Sequence, residues 1–125
     1  MSSVVERTDF VSVFTQDIQR AKAFYAGTLG LEIESEGESD LEFRCGQVTL
    51  DVFDPSSIGQ RFAVSPAGLA LRVPDVAEAR RELEEKGVEF NGDVLDTGVC
   101  HMAFFADSDG NALMLHHRYV PRVAE

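Results

Sequence analysis

Two stretches of this chain, "FVSVFTQDIQRAKAFYAGTLGLEI" at 10–33 and "GLALRVPDVAEARRELEEKGVEF" at 68–90, are variations on one pattern. Asp17-Ile18 matches Asp75-Val76, Ala21 matches Ala79, and "LGLEI" at 29–33 matches "KGVEF" at 86–90, a period of about 58 residues. A repeat constrains the fold more than any single motif. Each copy is one supersecondary unit whose sheet cannot cover both of its faces alone. Two copies are therefore expected to associate and leave a cavity between curved sheets, the natural place for a ligand.

The local pattern says what each copy contains. "FVSVFT" alternates as a strand does, and Asp17 offers a side-chain oxygen to the free N–H groups of a following helix. Ile18, Ala21, Phe24 and Tyr25 fall at the spacing of one buried helical face, with Gly27 and Gly30 at its exit. "LEIESEG", "DLEFRC" and "QVTLDVF" then read as an antiparallel meander. Residues 54–66, "DPSSIGQRFAVSP", have neither period and read as a linker. The order then recurs: strand "GLALRV", helix "VAEARRELEEKG" with Asp75 as N-cap, and strands "VEFNGDVL", "VCHMAFFA" and "NALMLHH". The last two strands are joined by "DSDGN", where Gly110 can take positive φ. The expected organisation is one domain over 1–125: module 1 over about 9–53, the linker, module 2 over about 67–117, and a tail at 118–125.

Composition removes several function classes. At 125 residues and 44% hydrophobic content the chain suits one domain with its own core. With 22 Asp and Glu against 11 Lys and Arg, its net charge of -11 repels phosphate backbones and anionic membranes. No nucleic-acid or membrane partner is expected. "MSSVVERTDF" has no basic start followed by an apolar run, and no stretch reaches the ~18 apolar residues of a membrane span. Cys45 and Cys100 lie far apart without a CxxC partner, which fits reduced thiols in the cytoplasm.

The two repeated stretches, together with "FFADSDGNALML", resemble the vicinal oxygen chelate superfamily of glyoxalases, bleomycin-resistance proteins and extradiol dioxygenases. The resemblance covers nearly the whole chain. It implies an α+β fold of two paired βαβββ modules forming a cupped, partly closed mixed barrel, commonly as a homodimer. Metal-using members resemble one another in four ligands, usually two His and two Glu. Carried over by position, these fall on Phe10, Gly68, Met114 and Asp51. A phenyl ring, a hydrogen and a thioether give a hard divalent ion almost nothing. No metal and no cofactor are therefore expected, and the resemblance shifts toward metal-free members that sequester a bulky ligand unaltered.

Strand alternation sorts the candidate residues. If Met114 faces the cavity, Ala112 and His116 share its face, while Leu113, Leu115 and His117 point away. His116 is then a candidate hydrogen-bond partner or general base, and His117 a surface or rim residue. On the preceding strand either Cys100, Met102 and Phe104 or His101, Ala103 and Phe105 face inward. Resemblance to members with pocket residues on this strand favours the first set and leaves His101 on the helix side or at an interface. Adjacent strand residues point apart, so Cys100 and His101 cannot form an activated dyad.

In module 1, Phe10, Ser12 and Phe14 share a face with Gln47, Thr49, Asp51 and Phe53. Asp51, an acid in an apolar cup, needs a partner such as Arg44, a cationic ligand group, or a raised pKa. Phe62 in the linker is expected to close over the site. An apolar lining of this kind suits flat, aromatic or polyketide-like molecules.

Three functions stay open at this level. The leading one is a metal-independent binder of a small, largely apolar or aromatic molecule. The second is an enzyme of lyase or isomerase type using His116 and Asp51 as base and acid. The third is a structural or interaction protein with no ligand.

Overall fold

The computed structural model describes residues 4–122 and contains every element that the repeat predicts. The first half holds β1 (Phe10–Phe14), α1 (Ile18–Lys22), β2 (Glu32–Glu36), β3 (Asp40–Cys45) and β4 (Val48–Phe53). The second holds β5 (Leu69–Arg72), α2 (Val76–Glu85), β6 (Phe90–Asp96), β7 (Cys100–Ala106) and β8 (Ala112–Arg118). The chain divides into two compact units between Ala63 and Val64. Each unit has a four-stranded mixed sheet, in the orders β1-β4-β3-β2 and β5-β8-β7-β6. The first strand of each unit runs parallel to its last, and the remaining pairs are antiparallel. The α+β class and the twofold βαβββ order are those expected.

In the first unit the Asp17 carboxylate accepts the Arg20 N–H at 3.0 Å and opens α1. From Ala23 to Thr28 the helix widens to the π form, in which the Leu29 N–H donates to the Phe24 carbonyl five residues back. The single 3.6-residue helix expected from the sequence is thus interrupted. Ala21 and Tyr25 are fully buried, whereas Ile18 and Phe24 are only half-buried. Tyr25 lies against Phe43, ring centroids 5.6 Å apart, over a layer made by Leu41, Leu50 and Val52. Burying each such side chain contributes about 1.5–3 kcal/mol.

In the second unit Asp75 caps α2 through the Glu78 N–H at 3.0 Å, and Gly87, at φ +94°, follows its end. Val76 and Leu83 are buried on the side where α2 packs on β7 and β8, which supply Ala103, Phe105, Leu113 and Leu115. Arg80 reaches from α2 to the irregular stretch of β6. It donates to the Gly92 carbonyl at 2.8 Å and lies 5.0 Å from the Phe90 ring centroid.

The stretch read as a linker is more ordered than its composition suggests. Asp54 caps a short 3-10 turn at Pro55–Ile58, closed by Gly59 in the left-handed region. Further on, the Ser65 N–H donates to Asn111 Oδ1 at 2.8 Å, and the Ser65 carbonyl accepts from Ala112. In the 107–111 turn Gly110 takes φ +91°, as expected. Among the described residues no helix is long and apolar enough to cross a membrane.

Candidate functional site

Burial in the first unit follows the strand alternation. Val13, Leu50 and Val52 are buried, and the opposite face of the sheet carries Phe10, Ser12, Phe14, Thr49 and Asp51. Phe10 pairs in register with Thr49, and Ser12 with Asp51. A recess of about 570 Å³ is lined by Phe10, Ser12, Asp51 and Phe53 together with Asp40 and Ile58. Phe10 is 52% exposed and Ile58 62% exposed, so two large apolar side chains stand at the recess in contact with solvent. Phe14 sits edge-on to Phe53 at 5.0 Å. Thr49 donates instead to Glu34 Oε1 at 3.2 Å. Phe62, expected to close over the site, is half-buried and outside the recess lining.

Asp51 is the chemically unusual group. Its Oδ1 is buried with no hydrogen-bond partner. Burial, and then the nearby Asp40 and Glu42 charges, push its carboxyl pKa above the usual aspartate value. Of the alternatives open for Asp51, the raised pKa is the one found, and Arg44 is engaged elsewhere, 3.4 Å from Glu32 and 3.7 Å from Glu34. The register explains this: Arg44 stands opposite Thr49, while Glu42 stands opposite Asp51.

In the second unit Phe104 pairs with Met114 and Met102 with His116 across β7 and β8. Ala103, Phe105, Leu113 and Leu115 are buried on the other side, the side of α2. This resolves the parity of β7 in favour of Met102 and Phe104 on the open face. His101 and His117 pair with each other on the helix side. Cys100 shares the parity of Met102 but is 4% exposed. Its sulfur lies 3.1 Å from Thr97 Oγ1, within the turn preceding β7.

Two cationic side chains on this face were not anticipated. Arg72 is in register with His116, and Arg118, two residues beyond His116, has a buried Nε with no hydrogen-bond partner. Continuing the Met114–His116 alternation by one step would have found Arg118. Asp40 beside Asp51 required the β3–β4 register, which no local pattern encodes.

The four positions that resemble metal ligands divide between the units. Phe10 and Asp51 share a face of the first sheet. In the second, a Cβ placed on Gly68 would lie 3.3 Å from Met114 Cε, and Gly68 has φ +72°. The Met114 methyl thus occupies the space beside the backbone from which a ligating side chain would project. In the first unit a ring and one carboxylate, and in the second a glycine and a thioether, are not donor sets for a divalent ion. Among the described residues no group of three or more His, Cys, Asp or Glu is arranged to hold a metal.

The family model described as Glyoxalase/Bleomycin resistance protein/Dioxygenase superfamily matches residues 7–115. Solved structures with similar folds include TnmS3, an antibiotic binding protein from Streptomyces sp. CB03234, at 26% identity and TM-score 0.77, covering 94% of this chain and 99% of that one. A glyoxalase/bleomycin resistance protein from the same Streptomyces strain is 28% identical with TM-score 0.72, covering 89% and 100%. Lactoylglutathione lyase from Agrobacterium tumefaciens shares the fold at 20% identity and TM-score 0.77, covering 91% and 95%. No curated protein matches the chain in sequence.

Proposed function

The chain belongs to the Glyoxalase/Bleomycin resistance protein/Dioxygenase superfamily, and from that premise we propose that it binds a small, largely apolar or aromatic organic molecule without the metal used by many relatives. The observation that carries this reading is the buried, unpartnered Asp51 Oδ1 at a recess flanked by Phe10, Phe53 and Ile58. An orphaned carboxylate oxygen is costly unless something donates to it. A ligand presenting an N–H or O–H beside a flat apolar body meets both needs. The antibiotic-binding relative supports a small-molecule ligand. Ser12, in register with Asp51, adds a hydroxyl to the same recess, and on the open face of the second sheet Met102, Phe104, Met114 and His116 are the contacts that this proposal offers to a ligand. The reading includes a homodimer located in the cytoplasm.

Binding is tested by NMR titration with a panel of aromatic molecules, half carrying an amine or hydroxyl donor. Donor-bearing members should shift the Ser12 and Asp51 amides, and Asp51→Asn should weaken them by about tenfold, the effect of one charge-assisted hydrogen bond. Indifference to both the donor and the variant would sink the reading. Its metal-free part fails if the chain retains Ni, Zn, Mn or Fe(II) and loses the ion in Asp51→Asn.

A second reading is an enzyme with Asp51 and His116 as acid and base. The raised Asp51 pKa favours it, because a carboxyl that holds its proton further up the pH scale is a better general acid. Chromatography and NMR of the bound molecule after incubation separate the two: unaltered ligand supports the binder, and a new product, whether a fragment or an isomer, supports the enzyme.

A further inference from the structure

The helix side of the second sheet holds a cluster that the proposed ligand site does not use. His101 and His117 stand directly opposite each other on antiparallel β7 and β8. Such pairs have Cβ atoms about 4.5–5.5 Å apart. Both rings line a recess of about 310 Å³ beside the start of α2, together with Asp75, Val94 and Tyr119. Asp75 is already engaged by the Glu78 N–H as the helix cap.

Each ring has one nitrogen occupied. His117 Nδ1 lies 3.0 Å from the Val73 carbonyl. A carbonyl only accepts, so the proton sits on Nδ1 and the Nε2 lone pair is free. His101 Nε2 lies 3.4 Å from Asp96 Oδ2, which draws its proton to that side and frees Nδ1. Asp96 is itself fixed: the Tyr119 hydroxyl donates to its Oδ1 at 2.6 Å and the Gly98 N–H at 2.9 Å. The Tyr119 ring also lies 4.9 Å from the His101 ring. A carbonyl or carboxylate on the far nitrogen is the arrangement that orients histidines for metal ligation.

We propose that His117 Nε2 and His101 Nδ1 form a two-imidazole chelate for a borderline divalent transition ion of the Zn²⁺, Ni²⁺ or Cu²⁺ class. Imidazole suits these ions and not Mg²⁺ or Ca²⁺, which take oxygen ligands. Metal–nitrogen bonds of about 2.0–2.1 Å are within reach of two rings anchored as close as a cross-strand pair. Among the described residues no third His, Cys, Asp or Glu joins them. The remaining coordination positions are left to water or an exogenous ligand. His116 projects from the opposite face of β8 and takes no part. The net charge of -11 raises the local concentration of cations. Tyr119 acts as a positioning residue through Asp96.

The test is calorimetric titration of the whole chain with ZnCl₂ or NiCl₂ alone, with the imidazole nitrogens followed by long-range ¹H–¹⁵N NMR for the zinc arm. One ion per chain should bind, with zinc moving His101 and His117 resonances and leaving those of His116 in place. His117→Ala and His101→Gln should each weaken binding by about tenfold or more, and Tyr119→Phe by a smaller factor. His101 is half-exposed, so His101→Gln keeps the test valid should loss of the Val73 contact unfold His117→Ala. The absence of stoichiometric binding, or undiminished binding in His101→Gln, overturns the proposal. So does an ion lost in Asp51→Asn, which would assign it to the first unit.

Discussion

Asp51 couples the proposed ligand site to stability. Its folded pKa lies above the unfolded value because burial, Asp40 and Glu42 all disfavour the charged form. The native state therefore holds the proton more tightly than the unfolded chain. The stability that this gives is fully present below the ordinary aspartate pKa of about 3.9 and is lost as pH rises through the folded value. Asp51→Asn carries no such charge. Its Tm relative to the parent should be higher at pH 7 than at pH 4, as followed by circular dichroism, and a pH-independent difference would contradict the assignment. Gly68 gives a second prediction. Its φ of +72° opposes a side chain there, and the Met114 methyl, 3.3 Å from an added Cβ, would have to give way slightly. Gly68→Ala should lose about 1–2 kcal/mol in urea denaturation from the backbone conformation alone, and a neutral result would remove the argument that this position cannot carry a ligand.

Among the elements, the turn between β7 and β8 ties the second sheet to the segment that precedes β5. Asp107 Oδ1 accepts the N–H groups of Asp109 and Asn111, its Oδ2 accepts from Asn111 Nδ2, and Asn111 Oδ1 receives the Ser65 N–H. Both side chains are buried, so truncating either leaves partners unsatisfied. Asp107→Ala and Asn111→Ala should each lose about 2–3 kcal/mol in urea denaturation. The double variant should lose clearly less than the sum, because the two share one network; strict additivity would show that they act separately. The "DSDGN" pattern made this turn legible, since Asp, Asn and Gly have local reasons to be there. Its hold on Ser65, some 46 positions away in sequence, was not legible, and the segment around Ser65 therefore read as a plain linker. The same division runs through the site. Alternation separated Met114 and His116 from Leu113 and Leu115, because period two is local. Which of its alternatives Asp51 would take was not legible because register decides cross-strand neighbours, and the π turn at Ala23–Thr28 left no mark in the spacing.

For the whole molecule, the excess of acidic groups is the property with the widest reach. The net charge of -11 acts on every element, since 22 acidic side chains outnumber 11 basic ones. Ion pairs such as Lys22–Glu36 and Arg44–Glu32 are solvent-exposed, and pairs of that kind contribute only about 0–1 kcal/mol each. Asp40, Glu42 and Asp51, gathered on one sheet face, repel one another instead. Salt screens both effects, its reach shrinking from about 30 Å at 0.01 M to about 8 Å at 0.15 M. With acids in twofold excess, the repulsion relieved exceeds the attraction lost. Raising KCl across that range should therefore stabilise the fold by about 1 kcal/mol, a Tm increase of roughly 3–6 °C for a chain of this size. Asp51→Asn should gain less from the same salt, because one of the crowded charges is already gone. Thermal melts of both proteins in a KCl series check the pair of expectations. A Tm that is flat or falls with salt would mean that the exposed ion pairs outweigh the repulsion and that the acidic recess is not a source of strain.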